Sequence, residues 1–222
     1  MLKDERLKAL CEAVREGVTV CDVGTDHAYV PVELILSGKA PRCIITDISA
    51  PSLAKGVNNA RSAGCEEKIS AYCTSGTLGV PLEGETDIVI AGMGGELIAE
   101  ILSQDERLKN EELRFVLQPM SKAEHLRAFL ADNGFVMTSE CKCESIGRVY
   151  AVITCKYVGD PYKLTEKERF FGCFYNENDP LEKKYADKIL RSLEAKLKGL
   201  ESAEVLSRDA VVALKKLISE IT

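Results

Sequence analysis

The sequence predicts an α/β fold, a seven-stranded and mostly parallel sheet covered by helices on both faces, with a helical appendage after it. Three observations carry this. Short runs rich in Val, Ile and Thr alternate with segments whose apolar residues recur at three- and four-residue spacing, the rhythm of a doubly wound sheet. Two final apolar runs follow each other with only Ile146 and Gly147 at the turn, which predicts an antiparallel hairpin closing the sheet. From about Asp160 the strand-like runs cease and leucine stripes take over.

Taken in order, MLKDERLKALCEAV reads as a charged amphipathic helix and not as a signal peptide. The strand runs are GVTVCDV, RCIITDI, KISAYCT, TDIVIAGM and LRFVLQPM, then FVMTSECKCES and RVYAVITCKYV. Between the first five lie HAYVPVELILSG, PSLAKGVNNARSAG and GGELIAEILSQ, and SKAEHLRAFLADNG leads to the hairpin; several of these helical segments end at glycine. Together they make a first domain over residues 1–159. A second, over 160–222, opens on a Pro break and a helix start at Thr165, where Thr-Glu-Lys-Glu matches a capping box. Leu190, Leu193, Leu197 and Leu200 then form one stripe. After a polar break at Ser207-Arg208-Asp209, Ala210, Leu214, Leu217 and Ile221 form another. Two stripes joined by a short break predict an antiparallel, coiled-coil-like helical hairpin; the alternative is two ordinary faces packed on the first domain.

Composition bounds the function classes. A chain of 222 residues with 45% hydrophobic content can bury a full core. No apolar run approaches the roughly 20 residues that span a bilayer, so a cytoplasmic protein with no membrane partner is expected. Nine cysteines, none in a CxxC pair, read as reduced core thiols; Cys141-Lys142-Cys143 is the nearest approach to a metal spacing, and no metal is expected. A net charge of −6 argues against a general nucleic-acid coat. The deficit lies wholly in the first domain, since residues 160–222 carry 12 Lys+Arg against 12 Asp+Glu. Basic clusters at Lys183-Lys184-Lys188-Arg191 and Lys215-Lys216 are open to two readings, a solvated helix face or a partner surface.

Four segments carry candidate chemistry, each at the C-terminal end of a strand, where open α/β sheets bind ligands. In TVCDVGTDHAYVPVELI, Gly24 permits a sharp turn close to a ligand, but Asp26 and His27 stand where a dinucleotide loop places further glycines. A carboxylate there repels a pyrophosphate and suits a cation such as an amino-acid ammonium, which favours S-adenosylmethionine over NAD. A purely structural turn is the alternative. Asp47 follows Gly24 by 23 residues, close to the spacing at which an acid accepts from a ribose hydroxyl pair, although it could instead cap the next helix, as could Ser49. Ala91-Gly92-Met93-Gly94-Gly95 sets three glycines within four residues, stripping side chains where a flat substrate would meet a methyl donor, or simply starting a helix with Met93 filling core space. The chain lacks an Asn-Pro-Pro-Tyr type of loop here, which favours a ring nitrogen over an exocyclic amine as the target. Gln118, in VLQPM, can offer donor and acceptor to a base edge or can stabilise a buried turn.

The order DVGTDHAYVPVEL, ITDISAPSLAKGVNNA, DIVIAGMGGELIAEIL and VLQP, followed by helices, resembles the bacterial tRNA (adenine-22-N1)-methyltransferase family over most of residues 1–160. The resemblance implies a Rossmann-like, seven-stranded class I methyltransferase sheet with a C-terminal coiled-coil-like extension. It also implies S-adenosylmethionine as cofactor, tRNA as partner, and methylation of N1 of an adenine; a monomer is expected. By motif, Asp22, Gly24, Thr25, Asp26 and His27 fall in the cofactor loop, Asp47 and Ile48 at the ribose, and Ala91, Gly92 and Met93 beside the methionyl end. Asp26, His27, Met93 and Gln118 are the candidates for the reaction centre.

Two positions depart from the family. Where it reads Gly-Asp/Asn-Gly-Leu after the third strand, this chain has Ser75-Gly76-Thr77-Leu78, so contact with the cofactor's adenine falls to the backbone at Gly76 or to other residues. After Gln-Pro the family commonly has Asn, and this chain has Met120, which bears on how the target base is held. Competing readings are a methyltransferase for a small molecule or protein, a non-catalytic cofactor-binding interaction protein and, third, a dehydrogenase.

Overall fold

A computed structural model describes residues 2–202 and 208–222. Its centre is a seven-stranded sheet in the order β3-β2-β1-β4-β5-β7-β6. The strands are β1 (Thr19–Val23), β2 (Cys43–Asp47), β3 (Ile69–Cys73), β4 (Thr86–Gly94), β5 (Leu113–Ser121), β6 (Phe135–Ser145) and β7 (Arg148–Tyr157). The first five are mutually parallel, and β7 runs antiparallel between β5 and β6. All seven strand runs and the closing hairpin lie where the hydrophobic pattern puts them. Central strands β1, β2, β4 and β5 are near-continuous apolar runs because helices cover both faces. The covering helices are α1 (Glu5–Ala13), α2 (Tyr29–Leu36), α3 (Ala50–Ser62), α4 (Gly95–Gln104) and α5 (Ala123–Asp132).

Capping sets several boundaries. The Asp4 carboxylate accepts from the Arg6 amide to start α1, and the Ser49 hydroxyl accepts from the Ser52 amide to start α3. The buried Asp87, at the N-terminal end of β4, accepts from the Arg15 amide at 2.7 Å and from its guanidinium at 2.8 Å, tying the segment after α1 to the sheet edge opposite the candidate site.

The C-terminal region comprises α6 (Glu166–Phe171), α7 (Pro180–Glu201) and α8 (Arg208–Ile221). The expected capping box is present, with Thr165 and Glu168 bonding reciprocally. Helices α7 and α8 pair antiparallel: Ile221 packs with Ala186 near the base, and Lys215 pairs with Glu201 toward the far end. Ser207 of the expected polar break lies outside the described residues, and Arg208 already belongs to α8. The helical pair touches the first domain through residues outside the two stripes. Leu190, Leu193 and Leu217 pack within the α6, α7 and α8 cluster, while Tyr185, Leu181 and Ile189 at the base of α7 join the main core.

Beneath that junction is a buried ion cluster. Arg127 of α5 and Lys142 of β6 both reach the Glu140 carboxylate at 2.6 Å, and Lys142 also pairs with Glu182 of α7 at 3.0 Å. Arg127 donates further to the Arg169 and Phe170 carbonyls and to the Tyr185 hydroxyl. Burial opposes ionisation of Glu140, but Arg127 and Lys142 outweigh it and hold the carboxyl below its usual range.

Candidate cofactor and substrate site

The C-terminal ends of β1 and β4, with the N-terminal segment folded over them, enclose a cleft of about 760 Å3. Asp22, Gly24, Thr25, Asp26 and His27 line it on one side, Ala91 and Gly92 on another, and residues from Leu2 to Leu10 form the remaining wall. The β1 turn is built on β2: the amides of Gly24 and Thr25 both donate to the Thr46 carbonyl, at 2.8 and 3.0 Å. Gly24 has φ +77°, and a Cβ there would lie 1.9 Å from Met93 Cε, so the conformation and the seated thiomethyl group both require glycine.

The two acids of this loop have different environments. Asp22 is sunk in the cleft, where burial pushes its carboxyl up to about 7, against a hydrogen bond from the Thr25 hydroxyl. Thr25 is itself buried and serves Asp22. Asp26 is exposed and pairs with Lys55 at 3.1 Å and with His27 Nε2 at 3.2 Å. The Lys55 hydrogen bond, helped by His27, holds its carboxyl below the usual range. Much of the Asp26 charge is therefore already answered, which moves the weight of the cation argument from Asp26 to Asp22. The His27 ring stacks on Tyr29 with centroids 5.1 Å apart, and its carbonyl accepts from Asn59.

Gln118 is fully buried, and its amide is used internally. Its Oε1 accepts from Arg6 Nη1 at 2.9 Å and from the Gly92 amide at 3.1 Å, while Nε2 donates to the Pro119 carbonyl. This geometry makes it a positioning group for Arg6 and the Gly92 turn, not an open base edge. Among the three glycines of the β4 end, only Gly92 lines the cleft. Gly95 admits the Lys122 carbonyl, which a Cβ would meet at 2.2 Å, and Gly94 faces the Ser121 hydroxyl. Met93 lies against Gly24.

Asp47, Ile48 and Gly76 do not line this cleft. One Asp47 oxygen accepts from the Ser49 amide at 2.7 Å; the helix cap itself is Ser49. Ile48 is 76% exposed, an unusual position for an apolar side chain beside the sheet edge. Gly76 has φ +58°, backs onto Ile101, and gives its carbonyl to the Thr46 hydroxyl. Sequence reasoning missed the N-terminal wall, above all Arg6, whose guanidinium is held by Gln118 and by Asp4 at 3.5 Å. Nothing in MLKDERLKAL marks Arg6 apart from its neighbours, because its partner lies 112 residues away. Among the described residues no group of three or more His, Cys, Asp or Glu could hold a metal ion, and no helix is long and apolar enough to cross a membrane.

Residues 3–153 match the family model described as a methyltransferase domain. The chain is 33% identical over 153 residues to the tRNA (adenine(22)-N(1))-methyltransferase of Bacillus subtilis, a match covering 68% of this chain and 64% of that relative. Among solved structures, a Streptococcus pneumoniae protein described as a candidate tRNA (m1A22) methyltransferase is 30% identical with a TM-score of 0.84, covering 100% of this chain and 99% of that one. The same protein in complex with S-adenosyl-L-methionine matches at 30% identity and a TM-score of 0.82, with 99% of each chain covered. The chain belongs to the methyltransferase-domain family, as a member of the bacterial tRNA (adenine-22-N1)-methyltransferase group.

Proposed function

We propose that this protein transfers a methyl group from S-adenosylmethionine to N1 of adenine 22 in tRNA. The observation that carries the reading is the pairing of opposite charges in one cleft, with Asp22 on the β1 wall and Arg6 on the N-terminal wall. That arrangement suits a zwitterionic amino-acid end, the ammonium toward Asp22 and the carboxylate toward Arg6. Asp47 is assigned to the ribose hydroxyls and Ile48 to a face of the adenine.

Bound there, the cofactor supplies an electrophilic methyl on a sulfonium. N1 of adenine carries its own lone pair, so the task of the protein is alignment, exclusion of water and accommodation of the positive charge passed to the base. Residues between Leu2 and Leu10 line one wall of the cleft, Gly92 leaves room at another, and Asp26, paired with Lys55, stands at its exposed side. The stacked His27 and Tyr29 rings offer the incoming base a flat surface. Residues 160–222 are assigned to gripping the folded RNA, and the protein to acting as a monomer in the cytoplasm.

Removal of residues 160–222 would strip Glu182 and Tyr185 from the buried Arg127, Glu140 and Lys142, so surface variants test this division of labour more cleanly than truncation. The function itself is tested by incubating the protein with methyl-labelled cofactor and total tRNA, then with a transcript whose adenine 22 is replaced by guanine. Label is expected in the first and not in the second. Equal labelling of both, or of neither, contradicts the reading.

A further inference from the structure

The tip of the β6–β7 hairpin is the feature the proposed chemistry leaves unused. Ile146 and Gly147 form a two-residue turn with φ +49° and +69°. Turns of this hand favour Asn-Gly or Asp-Gly, and a β-branched side chain in the left-handed region is an outlier. Ile146 gains nothing in packing from that strain, since it is 97% exposed. A strained, exposed, apolar tip costs stability without any return inside the folded chain, which points to a return outside it.

Its position says where. Strand β7 is antiparallel to β5, with Leu117 opposite Ile153, so Arg148 and the tip project past the Gln118-Pro119-Met120 end of β5, at the same sheet edge as the cleft. Ser145, at the base of the tip, lies near Asp4 on the cleft wall. On the other side a notch of about 370 Å3 is lined by Met120, Arg148, Tyr150, Lys184, Lys188 and Arg191. Of its four cations only Lys184 has an acidic partner, Glu144, among the described residues. In a chain of net charge −6 this is a local excess of positive charge, suited to a phosphate backbone. Met120, 41% exposed, adds an apolar floor.

Resting on the reading of tRNA as substrate, we propose that the β6–β7 tip is a wedge. Ile146 enters the base stack of the folded tRNA beside the target adenine, and Arg148, Lys188 and Arg191 hold the backbone of the strand it parts. Apolar side chains parting base steps next to basic contacts is an established physical device in minor-groove binding, and a base in a stack must be exposed before its ring nitrogen can be alkylated.

The test uses the full chain and the variants Ile146→Asn and Ile146→Leu. Asparagine relieves the turn, so Ile146→Asn should melt at a higher temperature than the wild type and bind S-adenosylhomocysteine equally well. On folded tRNA its kcat/KM should fall by about tenfold or more, and fluorescence of 2-aminopurine at position 22 should no longer rise on binding. On a short unstructured oligonucleotide carrying the target adenine it should match the wild type. Ile146→Leu, still apolar, should keep activity on both. Full activity of Ile146→Asn on folded tRNA overturns the wedge, as does an equal loss on folded and unstructured substrates. A wild type that methylates no tRNA overturns the substrate reading first, and the wedge with it.

Discussion

Replacing Asp22 with asparagine isolates the charge on which cofactor recognition is argued to turn. Burial pushes the Asp22 carboxyl from 3.8 up to about 7. A shift of about three units corresponds to roughly 4 kcal/mol between the two protonation states. Because the folded value lies above the unfolded one, the folded protein keeps a proton that the unfolded chain has lost, and stability falls as pH rises from about 4 through 7. Asp22→Asn removes that fall, so the cofactor-free variant should be more stable than wild type at pH 8, by at most about 4 kcal/mol. Cofactor binding should move the other way. An ammonium beside Asp22 favours its ionised form, which for an apparent value of about 7 is roughly 1% populated at pH 5 and half populated at pH 7. Affinity for S-adenosylhomocysteine, which keeps the ammonium and lacks the sulfonium, should therefore rise about fiftyfold over that range. Calorimetric titration at several pH values reads this directly, below the range near 7.7 in which an α-amino group loses its own proton. Asp22→Asn should be flat with pH and weaker than wild type at pH 7, and His27→Ala should keep the slope. A flat wild-type profile, or an equal slope in Asp22→Asn, would refute the assignment.

Gly24→Ala should lose cofactor binding and about 1–3 kcal/mol of stability, through its φ of +77° and the Met93 contact; adding Met93→Ala should recover only the steric part in a thermal melt. Glu140→Gln leaves Arg127 and Lys142 buried without their shared anion and should cost about 3–5 kcal/mol in urea unfolding. Lys188→Gln and Arg191→Gln should each weaken tRNA binding and lower its salt dependence by about one counterion, with cofactor affinity unchanged. An unaltered salt slope in both would take the notch off the RNA path.

The strands and helices were legible because each buries a face whose period the sequence displays, and the hairpin because two apolar runs cannot be separated by two residues in any other way. The capping box at Thr165 was legible because it is local. What escaped depends on partners that only the fold brings together. Asp26 invited the cation argument because it stands next to the glycine turn, but Lys55 of α3 answers its charge and leaves Asp22, half-buried at the cleft floor, as the acid without a cationic partner among the described residues. Gln118 looked available for a base edge, and only its contacts with Arg6 and Gly92 reveal that its amide is spent. The glycines of the β4 end looked like one opening, yet Gly95 serves close packing on Lys122. Glu140 and Lys142 carry no local mark of burial, because the helix that closes over them, α7, starts some forty residues further along the chain.

The proposed reaction places one methyl group on one ring nitrogen of one nucleotide. Nuclease digestion and mass spectrometry of a tRNA transcript incubated with the protein and S-adenosylmethionine measure both at once. A single 1-methyladenosine at position 22 is expected. A methyl group on an exocyclic nitrogen, at another position, or on no nucleotide at all would contradict it.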